Sequence, residues 1–112
     1  LQTCVFCQII EGRLPAEVLY EDDDVLVIGD IAPQAPVHLL VFPREHVPSA
    51  ADVSDGLVWS KVMPVAVSMA RDLGLVEQGF RLVVNTGDGA GQTIPHLHVH
   101  LLAGRPLRWP PG

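Results

Sequence analysis

Pro95-His96-Leu97-His98-Val99-His100-Leu101-Leu102 decides the fold, because three of the five histidines in the chain alternate there with branched apolar residues. In an extended chain successive side chains point to opposite faces. The spacing therefore predicts a strand with His96, His98 and His100 on one face and Leu97, Val99 and Leu101 on the other. The apolar face can seat in a core, leaving a row of imidazoles. A purely structural strand would need this scarce residue at all three outward positions by accident. One metal held by all three imidazoles would be strained, since the outer pair stands about 13 Å apart along a strand while zinc needs nitrogens at about 2.0–2.1 Å. What remains is a division of labour among groups that titrate near neutral pH and can serve as nucleophile, acid, base or ligand.

The surrounding 112 residues are enough for one domain, 1–112, with a single core. A hydrophobic fraction of 48% and a mean hydropathy of +0.31 are high for so small a chain and favour a buried self-association surface. The formal charge of −6, with only seven scattered Lys and Arg, argues against polymeric nucleic acid as a partner. Any phosphate must be held locally, by backbone amides or imidazoles. No apolar run of membrane-spanning length and no leader-like segment is visible, so a cytoplasmic protein with no membrane partner is expected. The two cysteines, Cys4 and Cys7, form a C-x-x-C, which in a reducing compartment points to a metal or redox motif before a structural disulfide.

Outward from the histidines the chain alternates short strands with two helices. Residues 4–11 read as a short helix with Val5, Phe6, Ile9 and Ile10 as its apolar stripe, stopped by Gly12 and Pro15. Residues 17–20 and 25–28 form a hairpin about the acidic turn 21–24, and residues 38–43 a third strand with His38 at its start. Ser54 is the expected cap of a helix running to Leu73 and stopped by Gly74, with Val58, Val62, Val65, Ala66, Met69 and Leu73 in the core. Pro64 should kink that helix near Lys61 or divide it in two, at a cost of about 3 kcal/mol. Residues 80–84 make the fourth strand. The glycine-rich stretch 86–93 then feeds into the histidines; it matches neither a Walker loop nor a dinucleotide fingerprint.

His96-Leu97-His98-Val99-His100-Leu101-Leu102, preceded by that glycine-rich loop, resembles the H-φ-H-φ-H-φ-φ motif of the histidine triad superfamily, where φ is hydrophobic. Cys4-Val5-Phe6-Cys7-Gln8-Ile9-Ile10, Asp30-Ile31-Ala32-Pro33-Gln34-Ala35-Pro36-Val37-His38, Val84-Asn85 and Trp109-Pro110-Pro111-Gly112 are similar to its nucleotide-binding branch. The tail makes this branch a better match than the dinucleoside-tetraphosphate hydrolases. The resemblance implies an α+β fold: a five-stranded antiparallel sheet with a short N-terminal helix and one longer helix. It also implies a homodimer with a continuous ten-stranded sheet, in which Trp109 of the 104–112 tail reaches the partner's active site.

The activity implied is hydrolysis of purine nucleoside 5′-phosphoramidates, of the adenosine 5′-monophosphoramidase type, through a covalent nucleotidyl-histidine intermediate. By resemblance His98 is the nucleophile, His100 and His38 donate to phosphate oxygens, and Thr93 stands where the family has a serine that assists the leaving group. Asp30 would grip the ribose hydroxyls, Phe6, Ile9 and Ile31 would line the base pocket, and Asn85, Gly91 and Gln92 would lie along the ribose and phosphate. The same intermediate would serve a nucleotidyl transferase or phosphorylase; a purine nucleotide-binding or scaffold protein with little turnover is the alternative outside catalysis. Some bacterial members and the related uridylyltransferases place zinc on positions matching Cys4, Cys7, His46 and His96, a donor set suited to a closed tetrahedral site. His96 could then hold metal through one ring nitrogen and reach the catalytic face through the other.

Overall fold

A computed structural model describes residues 3–112. Five strands, β1 (Val18–Glu21), β2 (Val25–Gly29), β3 (Val37–Pro43), β4 (Phe80–Val83) and β5 (Val99–Ala103), form one sheet in the order β1-β2-β3-β5-β4. Every neighbouring pair is antiparallel. Helix α1 (Val5–Ile10) lies on one face of the sheet and α2 (Leu57–Asp72) on the other. This is the five-stranded α+β architecture expected from the sequence.

Strand alternation separates the two faces. Val25, Val27, Leu39, Val41, Val99 and Leu101 meet Val62, Ala66, Met69 and Ala70 of α2 in the larger core. Leu26, Ile28, Leu40 and Phe42 point the other way, onto Cys4, Phe6 and Cys7 of the α1 segment. Register places Leu40 opposite His100 and His38 opposite Leu102, so His38 and His100 lie on the α1 side.

Three local expectations are corrected. Helix α2 starts after Gly56, not Ser54, because Asp55 Oδ1 accepts the Leu57 N–H at 2.9 Å. Of the two outcomes expected at Pro64, division into two helices is excluded: the helix is continuous, and Pro64 sits on the exposed face, where water can satisfy the carbonyl left unpaired. Leu73 is exposed, since it follows the last helical residue. The expected stop at Gly74 is present, with φ +71°, Gly74 N–H donating to Arg71 O and Leu75 N–H to Ala70 O, a Schellman closure. The acidic hairpin turn is held by Asp22, whose Oδ1 accepts the N–H groups of Asp24 and Val25, both at 2.7 Å.

The histidine stretch also differs from a simple strand. Pairing begins only at Val99; His96 ends a bend over residues 94–96, its N–H donating to Ile94 O at 2.8 Å, and His98 lies between that bend and the strand. Leu97 N–H donates instead to Val47 O, at 2.6 Å, tying this segment to the loop after β3.

Candidate active site

The three imidazoles occupy three different environments. His98 is buried, and its Nδ1 lies 2.7 Å from the carbonyl oxygen of His96. A carbonyl only accepts, so Nδ1 carries the proton and Nε2 keeps its lone pair. Burial pulls the His98 pKa below its ordinary value, against smaller upward pulls from that hydrogen bond and the Asp30 carboxylate, which favours neutral imidazole at pH 7. The Phe6 ring meets it edge-on at a centroid separation of 5.1 Å.

His100, the first triad position inside the sheet proper after Val99, has its ring 4.9 Å from that of His98. Its Nδ1 lies 2.9 Å from His38 Nε2, and His38 Nδ1 accepts the Gln34 N–H at 3.0 Å. The proton of neutral His38 must therefore sit on Nε2, donated to His100, which leaves His100 with its own proton on Nε2. Burial, reinforced by the neighbouring His98 and His38, pushes the His100 pKa down to about 4. His38 Nε2 also lies 3.3 Å from Asp30 Oδ2, and Asp30 Oδ1 accepts the Ala32 N–H at 2.8 Å. His38 thus has its single N–H committed within the protein, and the expectation that it donates directly to phosphate is corrected.

His96 is fully buried and belongs to a different cluster. Its Nε2–H donates to Pro43 O at 2.7 Å, so Nδ1 offers a lone pair to Cys4 Sγ at 3.4 Å and Cys7 Sγ at 3.6 Å. His46 Nδ1 completes the group at 3.3 Å from Cys7 Sγ, and all four ligand atoms lie within 4.8 Å of one another. Tetrahedral zinc with ordinary Zn–S and Zn–N bonds separates sulfur from nitrogen by about 3.6 Å, so the donor set fits that metal. Burial, then the Cys4 thiol beside it, push the Cys7 pKa up to about 11 in the metal-free cluster. The ring of His96 does not bridge to the catalytic face as expected, because its second nitrogen is spent on Pro43. Its backbone carbonyl makes that connection instead, through His98.

The remaining candidates divide by exposure. Phe6 is stacked on Phe42 with centroids 4.3 Å apart and is 1% exposed, so it supports the site from the core and cannot offer its face to a base. Ile9 is half-buried at the same cluster, while Ile31 is wholly exposed and free to cover a ligand. Asn85 is half-buried just after β4, and Thr93 is exposed between the glycine loop and His96. The Gln92 side chain is engaged within the protein. Its Oε1 accepts the Gly87 N–H, and its Nε2 donates to Pro48 O and Ile94 O, so it staples the loop shut. Gly91, with φ +89°, provides the left-handed turn that the loop requires. Trp109 is 82% exposed, with the tail before it anchored by Arg81 donating to the carbonyls of Leu107 and Arg108.

Sequence reasoning missed Gln34 and Pro43, whose backbone groups set the tautomers of His38 and His96. No side-chain signal could have marked them, although the Pro-rich connection before His38 hints at a fixed loop. A separate cleft of about 460 Å³, lined by Asp23, Arg44, Glu45, Asp52 and Lys61 among others, contains none of the histidines.

Comparison with known proteins converges on one family. The family model described as HIT domain matches residues 11–107. A HIT-like protein of Synechocystis is 46% identical over 110 residues, covering 96% of either chain. The crystal structure of a HIT family hydrolase from Legionella pneumophila superposes with a TM-score of 0.96 at 44% identity, covering 98% of this chain and all of that one. A histidine triad nucleotide-binding protein from Candida albicans superposes at 0.84 with 29% identity, covering 96% of this chain and 83% of its own. With its triad, its sheet and its relatives in agreement, the chain belongs to the HIT, or histidine triad, family.

Proposed function

We propose that the protein hydrolyses purine nucleoside 5′-phosphoramidates, with His98 as the nucleophile. The observation that carries this reading is the hydrogen bond from His98 Nδ1 to the His96 carbonyl, which aims a neutral, lone-pair-bearing Nε2 away from the backbone. Nε2 attacks the α-phosphorus, the phosphorus–nitrogen bond breaks, and the amine leaves with a proton drawn from solvent through the Thr93 hydroxyl. Water then attacks the same phosphorus and gives up a proton to solvent, the bond to Nε2 breaks, and the nucleoside monophosphate is released with neutral histidine restored. His100 Nε2–H is the donor for the charge that grows on the phosphate oxygens in both steps. Thr93 is assigned to the leaving amine and Asp30 to the ribose hydroxyls, with Ile9, Ile31 and Asn85 along the nucleoside.

Cys4, Cys7, His46 and His96 are assigned to a structural zinc ion. Bound there, zinc would supply a closed tetrahedral crosslink between α1, the loop after β3 and the chain leading into β5. Pro43, by accepting the His96 Nε2–H, fixes the ring so that Nδ1 faces the Cys4 and Cys7 thiols, where it would serve as a ligand.

Incubation with adenosine 5′-phosphoramidate tests the reaction. AMP and ammonia should be released, an adenylyl group should be found on His98 after rapid acid-free quenching, and His98→Ala should lower kcat by about a thousandfold or more. Undiminished turnover in His98→Ala would sink the mechanism. An intact substrate in the presence of wild-type protein would sink the activity.

A further inference from the structure

The connection from Asp30 to His38 does more than present a carboxylate to a ribose. Asp30 Oδ2 stands 3.3 Å from His38 Nε2, which lies 2.9 Å from His100 Nδ1, while the Gln34 N–H caps His38 Nδ1 at 3.0 Å. His38 is buried, and the Asp30 side chain is only 18% exposed. The three donor atoms lie within 4.8 Å of one another, close enough for a metal. Metal on His38 Nε2 would need the imidazole proton on Nδ1, where the Gln34 N–H already points, so this cluster is arranged as a hydrogen-bond chain.

We propose that Asp30 and His38 are positioning residues for phosphoryl transfer, acting through His100 by fixing its proton on Nε2. The inference rests on the phosphoramidase reading and deepens it. Neutral imidazole has two tautomers, and only the Nε2–H form can meet an anionic phosphate oxygen with a donor from that edge. The other form presents a lone pair to negative charge. The His38 Nε2–H can donate only to an unprotonated His100 Nδ1, so it selects the productive form, and the Asp30 carboxylate, 3.3 Å from the same nitrogen, is a second, longer acceptor whose charge keeps the His38 proton on Nε2. A carboxylate used solely for ribose would have no reason to face a buried imidazole whose other edge is capped by a backbone amide.

The decisive experiment compares Asp30→Asn with wild type on adenosine 5′-phosphoramidate and on its 2′,3′-dideoxy counterpart. Removing the ribose hydroxyls removes any direct role for Asp30 in binding them. On both substrates kcat should fall about tenfold, in the range found when a partner that orients a histidine is lost, whereas the rise in KM should appear only on the ribose substrate. Unchanged kcat on the dideoxy substrate would overturn the inference. Independently of activity, two-bond nitrogen–proton spectra of ¹⁵N-histidine protein should show His100 as the Nε2–H tautomer. A mixture of tautomers should appear in His38→Leu, or in Asp30→Asn should the former fail to fold. An Nδ1–H His100 in wild type would overturn the inference whether or not the phosphoramidate is cleaved. An inert wild type with the expected tautomer would remove the reaction and with it the positioning role.

Discussion

At the scale of single residues, equal spacing in sequence conceals unequal chemistry. His96, His98 and His100 follow one another at intervals of two, yet their hydrogen-bond partners are Pro43 O and two thiols, the His96 carbonyl, and His38. These partners put the proton on Nε2 in His96 and His100 and on Nδ1 in His98, so the three rings turn their lone pairs and donors toward different surroundings. The same burial carries a cost on acidification. His100 has its pKa pushed from 6.5 down to about 4, so between these values the unfolded chain binds a proton that the folded chain refuses. Stability therefore rises with pH across this window and is lost as pH falls through it. In urea denaturation of metal-free protein, His100→Gln should lessen the fall in midpoint between pH 7 and pH 4.5 relative to wild type. An unaltered dependence would show that His100 is not held neutral by the fold.

At the scale of elements, α1 is too short to persist alone and is held by what it touches. Phe6 inserts against Phe42, and Cys4 caps the helix by accepting the Cys7 N–H at 3.4 Å while facing His96. If zinc occupies the four-ligand cluster, protein purified without added metal should contain about one equivalent by elemental analysis. Cys7→Ser should lose that metal and lower the thermal midpoint by several degrees, on the order of a few kcal/mol for this size of domain; wild-type protein holding less than about a tenth of an equivalent would count against the site. The elements themselves were largely legible in the sequence, because alternation and helical spacing are local properties. Their boundaries were less so. Ser54 and Asp55 are both good caps, and nothing local says which oxygen reaches the first turn. The sequence alternates like a strand through His96 and His98, but there the His96 N–H closes a bend onto Ile94 O and the Leu97 N–H goes to Val47 O, fifty residues away. The four metal-site candidates came by resemblance and do converge in space. The Asp30, His38 and His100 chain was not legible, because it depends on the register of β3 against β5.

At the scale of the molecule, the sheet ends on two edges that are not equivalent. On one side β1 carries a register irregularity between Val18 and Tyr20, the kind of bulge that twists an edge away from pairing. On the other, β4 pairs with β5 in unbroken register from Phe80 to Val83, leaving a regular outer row of backbone groups that runs on to exposed Val84. A short, regular edge is a template for a second strand. A two-fold axis through β4 would join two five-stranded sheets into one of ten strands without opening either core. It would also cover the apolar surface implied by the mean hydropathy of +0.31. The tail leaves from the same half of the molecule, since Arg81 on β4 grips Leu107 and Arg108, so Trp109 emerges beside this edge. Sedimentation equilibrium should accordingly give twice the 12.1 kDa chain mass. Trp109→Ala should leave that mass unchanged while raising KM for the nucleotide several-fold, a small effect because the ring contributes at most about 1–2 kcal/mol as a contact across an interface rim. A monomer of native activity would refute both the ten-stranded sheet and a shared site.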